Sequence, residues 1–263
     1  MSSVLLEKRD GIAYVTLARP EALNALNRPM VAQLTTIFQE LEADEAMKVV
    51  LLTGQGQAFC AGYDVKQDIE YLERGETPPR SDLGFIAGDY DRLKPVICAV
   101  NGMAAGGGLY LVLQSDIVIA SERAQFWPPY AARGRDGGPQ PVLLAMKTNL
   151  SWASWACLLA QKLDAQTALR MGLAQEMVPH EQLLPRVTEI AETLCGYSQV
   201  TLHSIKERLN HLIKTLYLEA SRYRGPVTSR VFDSADFRKG LQAFLTKQKA
   251  RFDSEGESTE GNV

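Results

Sequence analysis

Three consecutive glycines, Gly106 to Gly108, follow a stretch of small residues and precede an apolar run. Because glycine has no Cβ, the backbone at this point can approach a ligand closely and open a helix. Amides at a helix N-terminus point outward and attract negative charge. The segment AFCAGYDVK (58–66) offers a second such amide after Gly62. Two converging backbone donors would form an oxyanion hole, which stabilises an enolate or a tetrahedral oxyanion.

The glycine triplet also has a structural interpretation, because such triplets more often mark tight helix packing than a catalytic device. No Lys-Ser or Lys-Thr pair follows the glycines, and the GxGxxG spacing is absent. These features argue against a nucleotide P-loop and against a Rossmann site. For the triplet alone, packing and catalysis both remain open.

Metal chemistry has little support in the sequence. The four cysteines are widely scattered without a CxxC pair, and the three histidines all lie beyond position 179. In a chain of this size, the pattern predicts reduced, mostly buried thiols rather than a disulfide framework. The spacing also argues against a zinc site, so we expect no metal. The cysteines are Cys60, Cys98, Cys157 and Cys195.

The elements that must position both amides alternate between β-branched runs and helix-like segments. Strands are predicted at IAYVTL (12–17), VVLLT (49–53), PVICAVN (95–101) and DIVIA (116–120). These runs are apolar on both sides and separated by helices, which indicates an α/β fold with covered sheets. Asn27 is predicted to cap the first helix, with Pro29 in its first turn. The apolar face of that helix comprises Val31, Leu34, Phe38 and Leu41.

The last third of the chain, from about Pro141, is almost wholly helical in pattern. One apolar stripe consists of Leu184, Val187, Ile190, Ala191 and Leu194. A second consists of Phe237, Leu241, Phe244, Leu245 and Phe252. Aromatic residues on a terminal helix indicate core or a subunit interface. The polar segment 73–84 predicts a mobile surface loop, and residues 253–263 predict a frayed tail.

Composition bounds the remaining function classes. The chain has 263 residues, of which 46% are hydrophobic and 22% charged, which excludes a mainly disordered or fibrous protein. A net charge of -3 gives no electrostatic reason to bind nucleic acid. No apolar stretch reaches the roughly 18 residues of a membrane span. The N-terminus meets charge too early for a signal peptide, so we expect a cytoplasmic protein that does not bind membranes.

Taken together, the segments resemble the crotonase superfamily, also called the enoyl-CoA hydratase/isomerase family. The resemblance covers nearly the whole chain. Five segments carry it in order: RPEALNAL (19–26), AFCAGYD, NGMAAGGG, SDIVIASERAQF and DFRKGLQAFLTKQKARF. It implies a spiral of ββα units over residues 1–195, a helical oligomerisation region over 196–252, and a homotrimer or dimer of trimers. The implied ligand is an acyl-CoA or a carrier-bound acyl thioester. Coenzyme A would enter as part of the substrate, with no tightly bound cofactor.

The resemblance also implies roles for individual residues. The oxyanion donors map onto the amides of Tyr63 and Gly107. Tyr63 replaces a more usual small residue, and its ring would narrow the acyl pocket. Lys247 is expected near the CoA phosphates, sometimes across a subunit boundary, although a solvated lysine on an amphipathic helix is the commoner interpretation. The segments expected to contact CoA comprise Ala22, Leu23, Asn24, Ala25, Ala61, Gly62, Asp64, Val65 and Lys66, with Phe244 and Lys247 near the adenine and phosphates.

By the same resemblance, the two catalytic glutamates of a hydratase of this family map onto Tyr110 and Tyr130. Hydration needs a base that accepts a proton from water near neutral pH. A phenol with a pKa of about 10 is only about one part in a thousand ionised at pH 7. The sequence therefore predicts that the two-glutamate addition of water is unavailable. Two roles stay open for the tyrosines: proton or hydrogen-bond donors, or inert walls of the pocket.

Asp136 is the candidate replacement carboxylate, because some family members carry an acid/base or nucleophilic aspartate close to this place. It precedes Gly137 and Gly138, so a turn or cap role is equally open. Arg133 and Arg135, beside it, either bind an acidic acyl group or face solvent. Asp116 is expected to be structural, and Asp64 to cap a helix.

The leading hypothesis is therefore an enzyme that forms a thioester enolate held by the Tyr63 and Gly107 amides. Its chemistry would be double-bond isomerisation, decarboxylation, carbon–carbon cleavage or a specialised hydration. The alternative is a binding protein that keeps the thioester cradle, has lost catalysis, and delivers acyl-CoA or supports a partner enzyme. RNA binding is disfavoured because the chain lacks a comb of basic residues.

Overall fold

The computed structural model describes residues 2–64, 74, 91–222, 230–232, 234–246 and 248–252. This part of the chain forms a mixed α/β fold with two sheets. The larger sheet has six strands in the order β1-β2-β3-β5-β7-β10, and the smaller has four in the order β4-β6-β8-β9. The strands are β1 (Val4–Arg9), β2 (Ile12–Leu17), β3 (Val49–Gly54), β4 (Ala58–Cys60), β5 (Val96–Val100), β6 (Met103–Ala105), β7 (Ile117–Ser121), β8 (Gln125–Trp127), β9 (Leu163–Asp164) and β10 (Glu176–Val178).

Most neighbouring strands in the two sheets run parallel. β1 and β2 pair antiparallel, as do β8 and β9, and the remaining pairs are parallel. The four predicted strands are confirmed as β2, β3, β5 and β7. β1 was not predicted, and three of its last four residues are exposed, so its apolar signal is weak. The strands of the smaller sheet have only two or three residues each.

The helices pack on both faces of the larger sheet. Three short 3₁₀ turns, Pro20–Ala22, Ala131–Arg133 and His180–Gln182, connect elements. The helices are α1 (Arg28–Ala43), α2 (Gly107–Gln114), α3 (Gln140–Lys147), α4 (Leu150–Leu158), α5 (Ala165–Arg170), α6 (Leu183–Cys195), α7 (Gln199–Arg222) and α8 (Ala235–Leu245).

The central strands send alternate side chains to opposite faces, which explains their continuous apolar runs. In β3, Val50 and Leu52 join the main core with α1 and α2, whereas Val49 and Leu51 face α6. Both faces are therefore covered, as the sequence predicts.

The start of α1 confirms the predicted cap. The Asn27 side chain accepts a hydrogen bond from the Met30 amide at 3.0 Å, and Pro29 lies in the first turn. This bond satisfies one of the amides that a helix N-terminus leaves without an intrahelical partner.

Two details of the helical third differ from the predictions. In α6 the buried positions are Leu183, Val187 and Ala191, while Leu184 is 51% exposed. The packed face therefore begins one residue earlier than expected, while the predicted members Ile190 and Leu194 do pack against it. The region after Pro141 also contains β9 and β10, and β10 pairs with β7 at the sheet edge.

The C-terminal stripe is only partly one helical face. Phe237 and Leu241 of α8 are buried, but Phe244 is 44% exposed, and Phe252 lies beyond the helix end. The predicted loop 73–84, apart from Arg74, and the predicted tail 253–263 lie outside the described residues. The division at residues 195/196 coincides with the junction of α6 and α7, and the two-part organisation stays a prediction.

The cysteine sites match the predicted reduced thiols. All four are free; Cys60 and Cys98 are buried, and Cys157 and Cys195 are half-buried. Burial raises the pKa of the Cys60 and Cys98 thiols to about 12. Within the described ranges, no group of three or more His, Cys, Asp or Glu side chains is arranged to hold a metal. No helix there is both long and apolar enough to cross a bilayer.

Candidate active site

The two predicted amide segments lie at the same end of the smaller sheet. β4 and β6 are parallel neighbours, and each segment follows directly from the carboxyl end of its strand. Residues 61–64 come after β4, and Gly106 with α2 comes after β6. Carboxyl ends of parallel strands meet at one sheet edge, which is where open α/β sheets bind ligands.

The backbone at Tyr63 is oriented by its pairing with Leu26. The Leu26 amide donates to the Gly62 carbonyl at 2.7 Å, and the Asp64 amide donates to the Leu26 carbonyl at 3.0 Å. Successive residues of an extended chain direct their backbone groups to opposite edges. The Tyr63 N–H therefore points away from Leu26.

Gly107 supplies the second amide as the first residue of α2. The helical ladder begins with the Tyr110 amide, which donates to the Gly106 carbonyl at 3.0 Å. Across the described residues, no backbone carbonyl accepts a hydrogen bond from the Gly107 amide. This is the arrangement expected of a first-turn amide that serves a ligand.

Glycines allow the two segments to touch backbone to backbone. Gly62 has φ +104°, and a Cβ there would lie 2.9 Å from the Ala105 carbonyl oxygen and 3.5 Å from the Gly107 nitrogen. A Cβ on Gly108 would lie 2.1 Å from the Cys60 carbonyl oxygen. The glycine triplet therefore has both roles that the sequence left open: Gly108 permits close packing, and Gly107 presents an amide.

A cavity of about 220 Å³ is lined by both amide segments. Tyr63 forms part of its wall, as expected for a side chain that narrows the pocket, and Trp127 forms another part. Tyr110, Tyr130 and Asp136 also line the cavity. The site residues proposed for chemistry are thus brought together from three separate stretches of the chain.

Both tyrosines are buried, with Tyr110 4% and Tyr130 6% exposed. The Tyr110 hydroxyl lies 3.2 Å from the Tyr217 hydroxyl of α7. The Tyr130 hydroxyl donates to the Gln140 side-chain oxygen. Burial raises the pKa of Tyr130 well above its ordinary value, so this phenol stays protonated at neutral pH. In that state Tyr130 can donate a hydrogen bond but cannot act as a base.

Asp136 forms a turn at the cavity wall. Its Oδ1 accepts a hydrogen bond from the Gly138 amide at 3.0 Å, so the predicted turn role is confirmed. The following residue, Gly137, has φ +76°, and a Cβ there would lie 2.6 Å from the Tyr130 ring. Among the described residues that line the cavity, Asp136 is the one carboxylate. Its catalytic role stays a prediction.

Arg133 and Arg135 line the cavity, and their guanidinium groups lie over aromatic rings. The Arg133 guanidinium lies 4.3 Å from the centroid of the Phe244 ring and 5.6 Å from that of Trp127. Arg135 lies 5.1 Å from the centroid of Phe237. Burial, and then the charge of Arg135, lower the pKa of Arg133. Of the two placements left open by the sequence, the structure favours the cavity.

A family model described as enoyl-CoA hydratase/isomerase matches residues 7–255 of this chain. The chain belongs to the enoyl-CoA hydratase/isomerase family. An Escherichia coli 1,2-epoxyphenylacetyl-CoA isomerase is 35% identical, with 96% of this chain and 98% of that protein covered. A probable mitochondrial enoyl-CoA hydratase from Dictyostelium discoideum is 32% identical, with coverages of 92% and 87%.

Solved structures of the enoyl-CoA hydratase/isomerase family share the fold. The crystal structure of an enoyl-CoA hydratase/isomerase from Pseudoalteromonas atlantica superposes with a TM-score of 0.85 at 26% identity. The match covers 96% of this chain and all of that one (100%). The expected crotonase-superfamily fold is therefore confirmed.

The two stretches that the family resemblance assigns to CoA lie side by side. The Ala61 amide donates to the Leu23 carbonyl at 3.0 Å, next to the Leu26–Gly62 bond. Asn24 is fully buried, and its side-chain amide donates to the carbonyls of Gln55 and Ala58. The Asn24 side chain thus anchors residues 22–25 to the neighbouring backbone. Binding of CoA by residues 22–25 and 61–64 stays a prediction.

The structure describes two of the remaining predicted ligand contacts, Asp64 and Phe244. Asp64 accepts from Arg19 at 3.1 Å, and Arg19 also donates to the Ala25 carbonyl, so Asp64 ties the two stretches together. Phe244 lines the cavity of its own chain. Val65, Lys66 and Lys247 lie outside the described residues. Asp116 accepts from the Val96 amide and from Lys206, both at 2.7 Å, so its expected structural role is confirmed.

Two residues of the site were missed by the sequence reasoning. Gln140 and Tyr217 hold the hydroxyls of Tyr130 and Tyr110, respectively. Tyr217 is 107 positions from Tyr110, so no local spacing links them. Gln140 follows a proline at the start of α3, where the sequence signals only a helix beginning.

Proposed function

We propose that this protein is an acyl-CoA-processing enzyme that stabilises a thioester enolate between the amides of Tyr63 and Gly107. The observation that carries the proposal is the convergence of two amide segments on one cavity. The segments are so close that a Cβ added to Gly62 would lie 3.5 Å from the Gly107 nitrogen. Family membership supports the substrate class. The names of the relatives place CoA thioesters among the compounds that such proteins process.

The proposed chemistry begins when the thioester carbonyl oxygen accepts hydrogen bonds from both amides. A base then removes a proton from the α-carbon, and the electron pair of that C–H bond moves onto the carbonyl oxygen. Preorganised donors stabilise the developing negative charge on that oxygen. Returning the proton at the γ-carbon of a β,γ-unsaturated acyl group moves the double bond into conjugation with no net gain or loss of atoms.

Asp136 is the proposed proton carrier. An isomerisation needs one group that takes a proton from one carbon and delivers it to another, whereas hydration by the family's two-glutamate route needs a pair. Tyr130 is held protonated by burial, which removes it as a base. Double-bond isomerisation therefore fits better than two-glutamate hydration. Decarboxylation, carbon–carbon cleavage and a specialised hydration use the same enolate.

A binding protein without catalysis is the second candidate. Both tyrosine hydroxyls already have protein partners, and Asp136 is bonded within its own turn. These bonds favour a passive wall. Incubation with enoyl-, β-keto- and malonyl-type CoA esters, followed by product mass and thermal shift, separates the two: stabilisation without conversion supports the binding protein.

The test of the enzyme is Asp136→Asn. We expect kcat to fall by about 10²–10⁴-fold, the usual contribution of a general acid–base group, while the dissociation constant of the CoA ester changes only severalfold. Asp91→Asn is the matched control, because Asp91 pairs with Lys214 on the surface and does not line the cavity. Unchanged turnover in Asp136→Asn would end its assignment, and failure of every thioester to bind would end the proposed function.

We further propose that the chain assembles as a homotrimer or a dimer of trimers. Support comes from α7, which exposes an apolar stripe at helical spacing. Such a stripe is unfavourable in water and is typical of a buried interface. Its members are Ile205, Leu209, Leu212 and Leu216.

A further inference from the structure

Arg133 is held in the cavity by aromatic rings. Its guanidinium lies over the rings of Phe244 and Trp127, and its contacts among the described residues include no carboxylate. An aromatic ring attracts a guanidinium electrostatically but accepts no conventional hydrogen bond from it. These contacts therefore hold the charged group in the cavity without replacing the hydrogen bonds that an oxyanion would accept.

The charged groups of the cavity do not balance. Its described lining contains two cations, Arg133 and Arg135, and one anion, Asp136. The Asp136 carboxylate is bonded to the Gly138 amide of its own turn. Burial lowers the pKa of Arg133, and Arg135 lowers it further, so its surroundings disfavour its charge. A ligand anion at this place would relieve an unfavourable positive potential.

We propose that the cavity selects acyl groups that end in a carboxylate and that Arg133 binds this carboxylate. The inference rests on the proposed function, since it names the class of acyl thioester used there: monothioesters of dicarboxylic acids. A planar guanidinium and a carboxylate match geometrically and form paired charge-assisted hydrogen bonds. Trp127 and Phe244 would flank the bound group and limit its access to water.

The phosphates of CoA are a second source of negative charge for the same arginine. The acyl group is favoured because Arg133 shares one cavity of about 220 Å³ with both oxyanion amides and with Tyr130. Thioesters of pantetheine separate the two sources, since pantetheine has no phosphate. An arginine that binds the acyl carboxylate discriminates among pantetheine esters as well as among CoA esters.

The experiment measures dissociation constants by calorimetry for succinyl-, glutaryl- and adipyl-CoA. Each is compared with the straight-chain monoacid ester of equal length: butyryl-, pentanoyl- or hexanoyl-CoA. We expect at least one diacid ester to bind about tenfold to a hundredfold more tightly than its monoacid counterpart. Arg133→Gln should remove this preference, for CoA and pantetheine esters alike, and leave monoacid binding within severalfold. Arg123→Gln, at an exposed arginine outside the cavity, should keep the preference.

Several results would overturn the inference. Equal affinities of the wild-type protein for diacid and monoacid esters would do so even if Arg133→Gln did not fold, and would leave the proposed function intact. If Arg133→Gln weakens the binding of all CoA esters equally and does not weaken the binding of pantetheine esters, Arg133 binds a CoA phosphate rather than the acyl carboxylate. Failure of every thioester to bind the wild-type protein would instead overturn the proposed function.

Discussion

A substitution can remove the N–H group of Gly107 without breaking helix α2. Gly107 is the first residue of α2, where proline is tolerated because its missing N–H has no intrahelical acceptor. Gly107→Pro therefore removes the proposed oxyanion donor and leaves the helical ladder in place. We expect kcat to fall by about 10²–10³-fold, the usual effect of losing one such donor. Steady-state kinetics with the best CoA ester measures the effect.

The control for this variant is Gly107→Ala, which also adds a Cβ but keeps the N–H. It should retain most of the activity, and circular dichroism should show both variants folded. Equal losses in the two variants would mean that crowding, rather than the missing donor, is responsible. Full activity in Gly107→Pro would contradict the donor role directly.

The sequence identified several cavity residues but not their partners. Tyr63, Gly107, Tyr110, Tyr130 and Asp136, to which the family resemblance assigns the chemistry, all line the cavity. The hydroxyl partners of the tyrosines depend on the packing of α3 and α7. That packing is set by contacts between distant parts of the chain, which periodicity does not encode.

At the scale of elements, α8 is docked on the 131–134 segment through two glycines. A Cβ on Gly240 would lie 2.2 Å from the Arg133 carbonyl oxygen, and one on Gly134 would lie 2.4 Å from that of Asp236. Backbone therefore meets backbone, with no flexible side chain between them to yield. This contact places Phe244 under the Arg133 guanidinium.

Gly240→Ala should force α8 away from this segment. Overpacking of this kind costs about 1–3 kcal/mol, and each kcal/mol lowers Tm by about 2–4 °C in a chain of this size. Gly196→Ala is the control, because its Cβ would lie 3.4 Å from the nearest atom, the Thr193 carbonyl oxygen. Thermal unfolding measures both. Equal Tm values for the two variants would show that α8 adjusts freely.

The elements that escaped the sequence reasoning are short or lie at edges. β4, β6 and β8 have three residues each, too few for an alternation to register. The one-residue offset in α6 arose because Leu183 and Leu184 are both leucine and only packing chooses between them. By contrast, β3 and β5 are apolar throughout and adjoin clear turns, so their positions were evident.

At the scale of the whole molecule, the exposed stripe on α7 predicts assembly. Leu212, 58% exposed, lies within it. Leu212→Glu should place a charge in the proposed interface and shift the protein toward monomer in mass photometry. Ser204→Glu adds the same charge to an exposed position of α7 outside the stripe and should leave the mass unchanged. A wild-type protein that is monomeric would contradict the proposed assembly.

The overall architecture was implied by the resemblance of five short segments to the family, and the family comparison agrees with it. The identity of the acyl group did not follow, because the cavity wall combines residues 61–63, 105–110, 127–140 and 232–244. The shape of such a wall emerges only when those stretches are folded together.

The glycine contact between α8 and Arg133 also limits which substitutions this chain can accept. The main chain of Arg133 touches Gly240 while its side chain touches Phe244, one helical turn further on. A descendant that gains a side chain at position 240 must therefore redirect the chain at position 133, and with it the charge in the pocket. Positions 133, 240 and 244 are therefore expected to change together, and a mutation at position 240 would alter the proposed carboxylate site without touching a residue of the proposed chemistry.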